Sequence, residues 1–98
     1  MVRTGLIVRL TAKAGKIDEL AAFLRAALPL VQGEPDTVAW LAVAIGGASF
    51  AIIDAFPDER GRQAHLDGPV AAALLTRAGE LLEAQPEIEY VDVLAAKL

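Results

Sequence analysis

His65 and Asp54 are the residues of this chain best suited to proton transfer. His65 is the only histidine, and an imidazole titrates near neutrality, where a general base is most useful. Its alternative role is structural, as a cap or packing group at a break between two helical segments. Asp54 is a carboxylate within the apolar run Phe50-Ala51-Ile52-Ile53-Asp54-Ala55-Phe56. It is a candidate base or a partner that orients His65, and otherwise an end-of-strand residue bonded to a backbone amide or an arginine. Three further side chains could shape a substrate site. Trp40 lies among alanines, which would leave room for a flat ligand against the indole, although a lone Trp also serves as core or dimer interface. Tyr90 could hydrogen-bond a substrate oxygen or stand half-buried with its hydroxyl in water. Arg9 could neutralise an anionic substrate or pair with Asp54 or Asp92.

Other chemistries lack their residues. With no cysteine and one histidine, thiol catalysis, disulfides and Cys-ligated metals are excluded, and no acidic spacing resembles a calcium loop. No metal or other cofactor is therefore expected. No glycine-rich loop joins a strand to a helix as a phosphate site requires. Ser49 is the only serine and lies outside any nucleophile-elbow motif. The net charge of −4, without a basic run, argues against nucleic acid. No apolar stretch is long enough to cross a bilayer, and the amino terminus lacks a signal-like core, so a cytoplasmic setting is the expectation.

The elements that must position these residues follow from periodicity. Leu6 to Thr11 reads as a first strand ending at Ala14-Gly15-Lys16. From Ile17 the period becomes helical, with Ile17, Leu20, Ala21, Leu24, Leu28 and Val31 on one stripe and Asp18 and Glu19 favouring the helix start. Pro29 predicts a kink or an early end, followed by an irregular turn through Gly33-Glu34-Pro35-Asp36. Thr37–Ile45 and Ala48–Phe56 read as strands joined by a two-residue Gly46-Gly47 hairpin. That register sets Val43 opposite Phe50, Leu41 opposite Ile52 and Ala39 opposite Asp54. Leu41, Val43, Phe50, Ile52, Asp54 and Phe56 would then share one face, and Val38, Trp40, Ala42, Ala51, Ile53 and Ala55 the other. A short helix from about Pro57 to Leu66 breaks at Asp67-Gly68-Pro69 and restarts, with Val70, Leu74, Leu75, Ala78, Leu81 and Leu82 as its buried stripe. Gln85-Pro86 ends it, and Ile88 to Leu94 forms a fourth strand.

Residues 1–98 thus read as one α+β domain of ferredoxin-like β-α-β-β-α-β order with an antiparallel sheet. Helices from one chain cover one face of such a sheet, and both faces of the central hairpin are apolar. The mean hydropathy of +0.46 is high for so small a chain, and a second copy over the open face would make a dimeric α+β barrel.

Phe50-Ala51-Ile52-Ile53-Asp54-Ala55-Phe56-Pro57-Asp58-Glu59 followed by Ala64-His65-Leu66-Asp67-Gly68-Pro69 resembles the antibiotic-biosynthesis monooxygenase domain. In that family an acid-x-aromatic strand end precedes a short helix carrying an Ala-His-Leu-like element. The Leu6–Leu10 strand and the Lys13-Ala14-Gly15-Lys16 turn into an Asp-Glu-Leu helix fit as well. The resemblance implies a homodimeric barrel with a pocket between helices and sheet in each protomer. The chain departs from the haem-degrading members, having no Asn on the first strand, His65 where a Trp falls, and Leu75 near their histidine position. Two functions follow from the resemblance and the residue set. One is a cofactor-independent monooxygenase of a small quinol or polyketide-like aromatic, with His65 as base, Asp54 in support, and Trp40, Tyr90 and Arg9 around the substrate. The other is a non-catalytic barrel that holds a small apolar molecule; isomerase or lactone chemistry would use the same base without oxygen.

Overall fold

The computed structural model describes residues 1–98. Its elements are β1 (Thr4–Thr11), α1 (Ile17–Gln32), β2 (Ala39–Gly46), β3 (Ser49–Phe56), α2 (Glu59–Leu66), α3 (Pro69–Leu81) and β4 (Glu87–Asp92). The strands form one antiparallel sheet in the order β2-β3-β1-β4, the ferredoxin-like arrangement expected from the element order. No helix is long and apolar enough to cross a membrane.

Strand alternation decides which face is covered. Leu6, Val8 and Leu10 of β1 and Phe50, Ile52 and Phe56 of β3 are buried, and each is paired within the β1–β3 ladder so that they share one face. Leu20 and Leu24 of α1 and Leu74 and Leu81 of α3 join them in the main core. The stripes nevertheless run wider than the buried surface: Ile17, Leu28 and Leu75 are exposed, because each lies at the margin of its helix's contact. Pro29 lies inside α1 without ending it. Its missing N–H deprives only the Arg25 carbonyl of its usual donor, near the end of the helix. Gly68 caps α3 with Pro69 in its first turn; the sequence allows either Asp67 or Gly68 as that cap.

The β2–β3 register differs from the simple hairpin. Trp40 pairs with Asp54, Leu41 with Ile53, Ala42 with Ile52 and Val43 with Ala51, and the register shifts between Ala44 and Gly46. Gly46 and Gly47 adopt φ of +141° and +54°, conformations that glycine enters without a Cβ penalty. The irregularity inserts one residue's worth of offset, and a one-residue slip exchanges the faces of a strand. The assignment of Trp40 and Ala42 to the face opposite Asp54 is therefore corrected. They stand beside Asp54, Ile52 and Phe50 on the helix-covered face, whereas Leu41 and Val43 turn with Ala51 and Ile53 to the open face.

Candidate functional site

His65 enters the core because a short polar helix is anchored at both ends. Asp58 caps α2 by accepting the Gly61 N–H at 2.9 Å. Within α2, Arg62 Nη1 donates to the carbonyls of Gly5 (3.1 Å) and Val91 (3.2 Å), tying the helix to β1 and β4. The close approach of strands there needs Gly5, since a Cβ at that position would lie 2.5 Å from the Asp54 carbonyl oxygen. His65 follows in the last turn of α2, where the helix end favours a cation.

The imidazole is held between two carboxylates. Nδ1–H donates to Glu34 Oε1 at 2.6 Å, and Nε2 lies 3.2 Å from Asp54 Oδ2. The latter contact is an ion pair off the N–H axis, and both Asp54 oxygens lack an aligned hydrogen-bond donor. Glu34 is fixed in turn by the Thr37 hydroxyl, which donates to Oε1 at 2.7 Å. Phe56 packs on the imidazole with ring centroids 5.4 Å apart. Burial by itself would depress the imidazolium, but the close polar contacts and charges of Asp54 and Glu34 outweigh it and raise His65 above its ordinary value. His65 is thus stabilised as a cation, with both ring nitrogens facing acids. The same cluster retains acceptor capacity, because Glu34 Oε2 is also buried without a donor.

A separate pocket of about 360 Å³ opens between α1 and β2. Ala21, Leu24 and Leu28 form its helical wall, Trp40, Ala42 and Phe50 its sheet wall, and Arg25 is the only charged residue on it. The small alanines leave a slot between aliphatic and aromatic surfaces. Trp40 joins the two regions, since it lines the pocket and pairs across the ladder from Asp54.

Of the residues singled out from sequence, the fold brings together His65, Asp54 and, through the β2–β3 ladder, Trp40. His65 and Asp54 do not line the pocket. Tyr90 is 59% exposed on β4, with the Arg62 guanidinium 4.8 Å from its ring centre. Arg9 faces the opposite side of the sheet and pairs with Glu89 at 3.1 Å, rather than with Asp54 or Asp92. Neither shares the site with His65. Glu34 and Arg62 are the residues sequence reasoning missed. Glu34 lay in a turn with no periodic signal, and Arg62 looked like any charge on a polar helix; an acid beside proline in a turn, close to an aromatic strand, was the one available hint for Glu34. The structure has no group of three or more His, Cys, Asp or Glu side chains arranged to hold a metal.

No family model matches the sequence, and no curated protein matches it. Among solved structures, the NE2512 protein of Nitrosomonas europaea, of unknown function, is 52% identical, with a TM-score of 0.98 over 100% of this chain and 95% of that one. The chain belongs to one family with that protein. A structure described as an antibiotic biosynthesis monooxygenase has a TM-score of 0.80 at 16% identity, over 94% of this chain and 99% of that one. A candidate antibiotic biosynthesis monooxygenase of Chloroflexus aurantiacus has a TM-score of 0.76 at 18% identity, over 97% and 96% of the two chains. The fold of this chain is accordingly that of the antibiotic-biosynthesis-monooxygenase type.

Proposed function

We propose that this chain forms a homodimeric α+β barrel that binds a flat, apolar aromatic molecule in each α1–β2 pocket. The pocket lining carries this reading. Eight of its nine residues are hydrophobic, Trp40 supplies an aromatic wall, and its volume of about 360 Å³ falls within the range of small-molecule sites, roughly 300–1,000 Å³. The homodimer is supported by the uncovered side of the sheet. Leu41 and Ile53 are 54% and 44% exposed there, paired side by side, while the helices pack on the other side. An apolar face on a two-fold axis is its own complement.

Trp40 is the only tryptophan, so its fluorescence reports on this pocket alone. Titration with 1-naphthol should quench it saturably. Ala42→Phe, which fills the slot, should abolish the quenching while leaving the far-UV circular dichroism unchanged. Unsaturable quenching, or saturation unaffected by Ala42→Phe, would overturn the assignment.

Cofactor-independent oxygenation is a second reading, favoured by the buried acid–histidine cluster directly across the ladder from Trp40. In an anthrone-like phenol, a methylene between aromatic rings becomes a carbonyl. One atom of O₂ enters the product and the other leaves as water. The substrate supplies all four electrons, so no reductant or cofactor is needed. Loss of the first proton would be assisted by Asp54, with its free acceptor positions, while the His65 cation beside it stabilises the negative charge that develops. Oxygen uptake by metal-free protein with anthrone, abolished in folded Asp54→Asn, is the expected result. Saturable binding without uptake would leave the binding function alone.

A further inference from the structure

We infer that the pocket selects an aromatic anion, with Arg25 engaging the carboxylate or phenolate of the ligand at the mouth while the ring system lies against Trp40. The inference rests on the binding function proposed above and specifies its ligand class.

Arg25 is the single charged residue of the pocket lining, and its guanidinium has no carboxylate to neutralise it. The arginines that make ion pairs are Arg9, Arg62 and Arg77; Arg25 is not among them. Its own helix offers none either. The residues three and four positions away are Ala21, Ala22, Leu28 and Pro29, so no acid sits where helical geometry would place a partner. No acid lines the pocket from the sheet side. An unpaired guanidinium beside an apolar slot is an amphipathic site whose complement is an apolar body with a negative end. The remainder of the molecule makes this local charge decisive. With a net charge of −4, the long-range field disfavours anions, so an anion preference must come from a contact made at the site.

Flatness follows from the small side chains. Ala21, Ala42 and Ala44 line the slot between Leu24 and Leu28 on one side and Trp40 and Phe50 on the other. Bulky three-dimensional ligands would meet the two walls, whereas a fused aromatic ring offers its faces to both.

The test compares 2-naphthoate with its neutral counterpart 2-naphthylmethanol, each titrated against Trp40 fluorescence and repeated by calorimetry. Wild-type protein should bind the carboxylate about three- to tenfold more tightly, the range between an exposed ion pair and a charge-assisted hydrogen bond. Arg25→Gln should erase that preference, bringing 2-naphthoate down to the affinity of 2-naphthylmethanol. Arg60→Gln, an equal loss of charge on α2 away from the pocket, should keep it. Equal affinities in the wild type, or a preference that survives Arg25→Gln or disappears in Arg60→Gln, would overturn the anion selectivity while leaving the pocket's binding role intact. Failure of both compounds to bind would overturn the pocket assignment and this inference with it.

Discussion

Replacing His65 by alanine should destabilise the protein far more than removing a surface histidine would. The side chains of His65, Glu34 and Asp54 are only 7%, 13% and 0% exposed, so the substitution leaves two acids in the interior with no counter-charge. Removing one partner from a buried ion pair costs about 3–5 kcal/mol. For 98 residues, an unfolding entropy of about 2.1 cal/mol/K per residue totals roughly 0.2 kcal/mol/K, which converts the loss into a Tm lowered by about 15–25 °C. Urea unfolding at fixed protein concentration, followed by circular dichroism, measures the change directly. Asp54→Asn in the same background removes one of the stranded charges, so the double variant should be less destabilised than the sum of the two single ones. The pH dependence has a defined sign. Because the folded state raises the His65 pKa, its contribution is fully present below the unfolded value of about 6.5 and is lost as pH rises through the folded pKa. Wild-type stability should therefore decline as pH rises above about 6.5, and His65→Ala should lack that component. A cost below about 1 kcal/mol, strict additivity with Asp54→Asn, or an unchanged pH slope would refute the argument that the acids hold His65 as a buried cation.

Gly5→Ala should cost about 1–3 kcal/mol in chemical denaturation, because its Cβ would meet the Asp54 carbonyl oxygen at 2.5 Å while Val91 Cγ2 stands 3.3 Å away on the other strand. Asp58→Ala removes the acceptor for the Gly61 N–H and should lower stability by about 1 kcal/mol, seen as a lower urea midpoint with unchanged slope. Leu41→Asp with Ile53→Asp should yield a folded monomer by light scattering where the wild type gives a dimer; a wild-type monomer, or a variant that remains dimeric, would remove the open face as the interface.

Local sequence determined the elements and their order, because strand and helix periods are properties of neighbouring residues. A glycine-led turn between β2 and β3, the Gly68-Pro69 restart and the first strand were legible, although the turn falls at Gly47-Ala48 rather than Gly46-Gly47, and with the element order they led to the antiparallel ferredoxin-like sheet. The resemblance at Phe50–Glu59 and Ala64–Pro69 led to the monooxygenase-type fold. Register was not legible. The irregularity between Ala44 and Gly46 is an offset that glycine permits but does not announce, and it moved Trp40 from the far face to the side of Asp54. The acid cluster was half visible: His65 and Asp54 stood out as chemical types, whereas Glu34 reaches His65 across 31 positions from a turn without any pattern. The pocket, likewise, exists only where α1 lies over β2 and brings Arg25 beside Trp40. Periodicity specifies which residues of one element share a face, but which face turns inward and which inward residues meet is fixed by tertiary packing, through contacts between segments that carry no local record of one another.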